Sequence, residues 1–171
     1  QPFRQLARVN NPARVELVDL DQDGLEDLLI SDLGSFLPAD HAFGRLYWGR
    51  NDGAGRFEPF TLLENVGRVA DAQSGDFDQD GDLDLVVAVF GWRRIGGIIL
   101  LENIAPEPGG APLNFKQHLL DPRPGAIHVP VVDVNGDGRM DIVALISQQF
   151  ETVTAYLNQG GLTFDPQPIF T

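Results

Sequence analysis

The chain has 171 residues, no cysteine, 43% apolar residues and a formal net charge of −13. That apolar content can fill a core, while the missing cysteine excludes disulfide staples and thiolate metal sites. The negative charge argues against a nucleic-acid partner, and no apolar stretch approaches the roughly 20 residues that cross a bilayer. Nineteen Gly and twelve Pro, with few helix-friendly runs, predict a turn-rich β protein. The chain starts at Gln1 with no leader pattern, so the expectation is a removed leader or a segment of something longer.

In chain order, Phe3-Arg4-Gln5-Leu6 comes first and resembles the later Phe115-Lys116-Gln117-His118-Leu119. Residues 1–11 therefore read as the outer strand of a preceding unit or as an N-terminal extension. From residue 12 onward an acidic nine-residue segment recurs, beginning at Asp19, Asp76 and Asp133, 57 residues apart each time. An apolar run follows each copy: Leu28 to Ile30, Leu85 to Phe90, and Ile142 to Ile146. A second apolar run, a Gly/Asn-rich turn and a Phe come next: Leu46 to Phe57, Ile98 to Phe115, and Tyr156 to Phe164.

The runs are short, β-branched or aromatic, and bounded by Gly, Asn and Asp, so they read as strands. Each unit then holds four. The first enters the acidic loop, the second leaves it, and the third and fourth form a hairpin. The first strands align Val15, Ala72 and Val129 with Leu17, Ser74 and Val131 on one face. Arg14/Glu16, Asp71/Gln73 and His128/Pro130 fall on the other, expected to line a wet central channel. Pro130 suits an inner edge strand, which need not donate every N–H. Four-stranded antiparallel repeats that stack on copies of themselves are β-propeller blades, with limits at 12–62, 69–120 and 126–171. Three blades do not close a ring of the usual four to eight. The remaining blades are expected from a longer chain or from other copies of this one.

The acidic segments follow Asp-x-Asp/Asn-x-Asp-Gly-x-x-Asp. Calcium takes 6–8 hard oxygens, and alternate side chains at positions 1, 3 and 5 of a loop can converge on one ion. The candidate ligands are Asp19, Asp21, Asp23 and Asp27 with the Leu25 carbonyl, and Asp76, Asp78, Asp80 and Asp84 with Asp82. In the third loop they are Asp133, Asn135, Asp137 and Asp141 with the Arg139 carbonyl. Position 6 is Gly24, Gly81 or Gly138, where a sharp bend favours glycine. An EF-hand would need Glu at position 12, which here is Ile30, Val87 or Ala144, and a helix afterwards. Plain Asp/Gly turns are the competing reading, weakened by three copies at one spacing. Magnesium seldom takes an all-protein cage. Three calcium ions, one per repeat, are expected. Thirteen of the 25 acidic residues lie in these segments, so the charge excess is local ligand charge. With Asn135 and Arg139, the third loop should bind most weakly.

The acidic motif before an apolar strand, the 57-residue period and the Asn/Gly-Gly-x-x-Phe hairpin resemble FG-GAP/VCBS repeats over about residues 12–171. That resemblance implies a calcium-binding β-propeller of bacterial secreted type, only distantly like integrin α subunits, whose Phe-Gly and Gly-Ala-Pro elements are absent here. It also implies calcium in a structural role on one rim and recognition on the opposite rim. There the candidates for a protein or glycan ligand are Trp92, Arg93, Arg94, His41 and Phe150. The expected setting is extracellular, periplasmic or cell-surface, in binding or adhesion. A structural subunit of a self-assembling surface complex or filament is the alternative. The propeller part of a polysaccharide-acting enzyme is the third reading; no residue is assigned a catalytic role, because no nucleophile elbow or His-Glu-x-x-His occurs.

Overall fold

In the computed structural model, residues 9–37, 39–105, 111–148 and 150–170 are described; Phe3 to Leu6 lies outside them. They form thirteen strands and no helix. The first sheet orders β1 (Pro12–Val18), β2 (Asp27–Asp32), β3 (Gly44–Asn51) and β4 (Phe57–Val66) as neighbours. The second repeats that order with β5 (Val69–Gly75), β6 (Asp84–Val89), β7 (Gly97–Ile104) and β8 (Asn114–Asp121). The third uses β9 (Ala126–His128) and β10 (Val131–Val132), both paired with β11 (Asp141–Ile146), then β12 (Thr152–Asn158) and β13 (Phe164–Phe170). All pairings are antiparallel, and the sheets form blades side by side rather than a closed barrel. The expected all-β blade architecture is what the chain adopts.

Strands β2 and β6 are buried at every residue, and the second sheet, which holds β6, is packed on both faces. Leu29, Leu46, Trp48 and Leu63 of the first sheet pack on Ala72, Leu85, Val87 and Leu101 of the second. The back of the second sheet (Val86, Ala88, Ile98 and Leu100) packs on Val129, Ile142, Ala144, Ile146 and Tyr156 of the third. Continuous apolar runs, rather than strict alternation, are what a strand buried on two faces requires. Position 2 of each acidic loop plugs the gap towards the next sheet: Leu20 is 1% exposed and Phe77 0%, while Val134, with no fourth sheet beyond it among the described residues, is 47% exposed. Gly44 has no room for a side chain, since a Cβ there would meet the Gly67 carbonyl oxygen at 1.7 Å.

The inner strands add two features to the sequence expectation. Their polar residues bridge successive sheets, while the Arg14 and His128 side chains stay 39% and 45% exposed. Arg14 Nε lies 2.9 Å from Asp71 Oδ1, and Asp71 Oδ2 lies 2.6 Å from His128 Nδ1. Ser74 Oγ donates to Glu16 Oε1 at 3.1 Å. The alternating faces of an inner strand point to the preceding and following sheets. Val15 and Leu17, on the face with no sheet before it among the described residues, are therefore 56% and 64% exposed, whereas the equivalent Ala72 is 1%. Secondly, Pro130 does more than tolerate an edge. It interrupts the strand into β9 and β10, while its carbonyl still accepts from Val143 N at 3.0 Å.

Antiparallel order puts every β1–β2-type loop and β3–β4-type hairpin on one rim. The β2–β3-type loops and the links between sheets lie on the other. The acidic loops share the first rim; Arg68, Arg93, Arg94 and Arg123 lie on the second.

Candidate metal centres

The three acidic loops share one hydrogen-bond skeleton. The position-1 carboxylate accepts the N–H of the position-6 glycine: Gly24 to Asp19 at 2.8 Å, Gly81 to Asp76 at 3.2 Å, Gly138 to Asp133 at 2.9 Å. The position-5 carboxylate accepts the N–H of position 7: Leu25 to Asp23, Asp82 to Asp80, and Arg139 to Asp137, each at 3.0 Å. Such side-chain-to-backbone turns are what Asp does best in loops. The glycines sit at φ +89, +98 and +86, a left-handed bend that L side chains rarely adopt. Position 4 is left-handed too, at φ 56 in Gln22, 65 in Gln79 and 76 in Gly136.

Position 9 has a separate and uniform task. Asp27, Asp84 and Asp141 are fully buried. One oxygen of each accepts the position-2 N–H, from Leu20, Phe77 and Val134. The other accepts the N–H of Asn51, Asn103 or Asn158 at 2.7, 2.8 and 2.7 Å, tying the loop to the end of the third strand. Trp48 Nε1 also donates to Asp27 at 2.8 Å.

Positions 1, 3 and 5 converge. Oxygens of Asp19, Asp21 and Asp23 lie within 4.8 Å of one another, as do those of Asp76, Asp78 and Asp80. Several carboxylate oxygens are buried without any partner: Asp21 Oδ1 in the first loop, Asp76 Oδ1 and Asp82 Oδ1 in the second. The Asp21 side chain is only 8% exposed. An unpartnered buried carboxylate oxygen is costly, and a hard cation with oxygen ligands answers that need. The donor set of the first two loops fits calcium on these grounds.

The loops differ in what balances their charge. In the first, Arg50 from β3 lays Nε 2.5 Å from Asp21 Oδ2 and Nη2 3.4 Å from Asp23 Oδ2. In the third, Arg139 pairs with Asp137, and Asn135 Nδ2 also donates to Asp137, at 2.9 Å. Among the described residues the second has no basic partner. Burial, reinforced by the neighbouring Asp80, raises the Asp82 carboxyl, and burial pushes Asp84 up to about 7 against the pull of its two backbone donors.

On the opposite rim, Asp40 of the β2–β3 loop accepts the N–H groups of Arg93 at 2.8 Å and Arg94 at 3.0 Å. This holds the β6–β7 loop against it. Trp92 is half-buried, with the Arg68 and Arg93 guanidinium carbons 5.9 and 5.8 Å from its ring. His41 stacks on Phe43 at 5.0 Å. Phe150 stands apart from these contacts, beside Arg123 at 5.9 Å. The roles of Asp40, Arg50 and Arg68 were not visible in the sequence, since each acts on residues 23 or more positions away.

A family model for an FG-GAP-like repeat matches residues 19–87. The span opens at the first residue of the first acidic loop and closes within β6, so it contains the two loops whose positions 1, 3 and 5 are all Asp. No curated protein matches the chain. The matched repeat and the three sheets together describe a repeat module of β-propeller type.

Proposed function

We propose that the chain is a calcium-braced binding module of β-propeller type, working where calcium is plentiful outside the cell. The observation that carries this reading is the contrast within the acidic loops. Their bends are already held by backbone hydrogen bonds, yet Asp21, Asp76 and Asp82 keep buried oxygens with no partner. Carboxylate oxygens that the bends leave without a partner, beside position-1, -3 and -5 groups gathered within 4.8 Å, suit a cation. The Leu25, Asp82 and Arg139 carbonyls and the position-9 carboxylates would supply further oxygens. Bound calcium would cancel the repulsion in each loop and stabilise the folded chain by roughly 1.4 kcal/mol per site at ten times Kd. Extracellular modules work with Kd on the order of 10⁻⁴–10⁻³ M, which favours a calcium-rich setting. In this reading calcium contacts no partner. Recognition of a protein or glycan uses the other rim, through Trp92, Arg93 and Arg94 with His41 beside them and Phe150 further round, because aromatic and Arg side chains dominate contact energies.

The test is thermal unfolding in chelator and in millimolar calcium. Calcium should raise the midpoint, and Asp21→Asn combined with Asp78→Asn should abolish most of the rise. An unchanged midpoint would sink the metal reading. Ligand binding lost in Trp92→Ala but kept in the loop variants would support recognition on the opposite rim.

End faces left uncovered among the described residues favour a second reading, assembly with further blades of a longer chain or with other copies. Val15 and Leu17 at one end, and Leu145 and Phe170 at the other, are 56%, 64%, 38% and 69% exposed. Solution mass with and without chelator tests self-assembly, and a monomer in both conditions would argue against it.

A further inference from the structure

Successive acidic loops touch through one repeated contact. Gln22, at position 4 of the first loop, donates from Nε2 to the Gly81 carbonyl, at position 6 of the second, over 2.8 Å. Gln79, at position 4 of the second, reaches the Gly138 carbonyl of the third over 3.4 Å. Both contacts span 59 residues and run in the same direction. The third loop has Gly136 at this position and ends the series. Neither glutamine is buried in a core, and each occupies a left-handed backbone position that glycine fills without cost. A glutamine there carries a conformational penalty, which an amide reaching the next loop offsets.

The placement of the two ends matters. Position 4 lies between the carboxylates at positions 3 and 5. The position-6 carbonyl belongs to the peptide that leads into position 7, whose own N–H is held by the position-5 carboxylate. A cation that fixes one loop thereby fixes the acceptor used by its neighbour, and the neighbour loses less freedom when its own cation arrives.

We propose that Gln22 and Gln79 are positioning residues that couple the loops into one row, so that filling one raises the affinity of the next. This rests on the calcium reading above. For the first pair, Asp21 supplies a second pointer to a ligand: its side chain is 8% exposed, Arg50 takes only Oδ2, and Oδ1 is buried with no partner.

The experiment is a calorimetric calcium titration of the full chain carrying Asp133→Asn and Asp137→Asn, which leaves two strong loops joined by Gln22. The expected curve is cooperative, the second ion binding about fivefold tighter than the first, at the lower end of typical coupling. Adding Gln22→Gly should give two independent sites. The affinity of the unmutated second loop should fall with it, an effect that a purely local role for Gln22 would not produce. Superimposable curves with and without Gln22→Gly would overturn the coupling while leaving calcium binding intact. No binding at all up to millimolar calcium would overturn the metal reading itself, and the coupling with it.

Discussion

The second and third acidic loops have nearly the same backbone and opposite electrostatic conditions. Both close on a position-1 carboxylate, a left-handed glycine and a position-9 brace. Five aspartates crowd the second with no base among them, while Arg139 and Asn135 settle the charge of the third on Asp137. The bend is therefore a product of Asp-to-backbone hydrogen bonding and glycine conformation, not of net charge. What charge adds is a demand for a counter-ion, met by a side chain in one loop and open in the other.

The largest expected effect lies in the feature the two loops share. Asp84→Ala and Asp141→Ala each strand two backbone N–H groups, and should cost about 2–5 kcal/mol. The costs should be similar when chelator is present in a denaturant titration. A large inequality would mean that the brace depends on loop charge. The next effect should separate the loops. Calcium at ten times Kd should stabilise by roughly 1.4 kcal/mol per site, and Asp78→Asn should remove more of that gain than Asn135→Ala in matched thermal melts. Smaller again, Arg139→Gln should tighten calcium binding at the third loop by up to about fivefold, the equivalent of an exposed ion pair worth ~0.2–1 kcal/mol. Calorimetry showing weaker binding would mean that Arg139 organises the loop rather than competing with the ion.

The smallest effect concerns a carboxylate outside the loops. Burial raises the Glu16 carboxyl above its ordinary value, against the Ser74 hydrogen bond. The folded state thus prefers the proton, and stability present below the ordinary glutamate pKa is lost as pH rises through the raised one. Glu16→Gln should be more stable than the native chain at neutral pH, by less than about 1 kcal/mol given its partial exposure, with the gain fading towards pH 4. Equal unfolding midpoints across that range would remove Glu16 from the list of strained acids.

The loops and strands were legible in the sequence because their causes are local. Asp-x-Asp-x-Asp-Gly encodes its own turns, and the apolar runs after Asp27, Asp84 and Asp141 encode strands, buried throughout in β2 and β6 and open on one face at Leu145 of β11. The inner strands were only half legible. Arg14, Asp71 and His128 were correctly placed at one repeat position, but their pattern alone cannot tell a residue facing water from one facing a partner in the next sheet. Arg50 was illegible for the same reason. It belongs by sequence to β3, and only the β2–β3 register carries it over Asp21. The position-9 aspartates read as ligands first; their bracing role needs the strand end that folding brings to them.

The separation of the two rims has an electrical consequence. Acidic loops gather at one end, while at the other Arg68, Arg93, Arg94 and Arg123 offset Asp40 and Asp121, so the charge is uneven from rim to rim. Each calcium ion would remove two units of negative charge from one rim and none from the other, so the unevenness shrinks as the loops fill. The metal-free chain should turn its arginine end towards an anionic surface more strongly than the filled one. Calcium would then govern how the molecule faces its surroundings as well as how firmly it is folded.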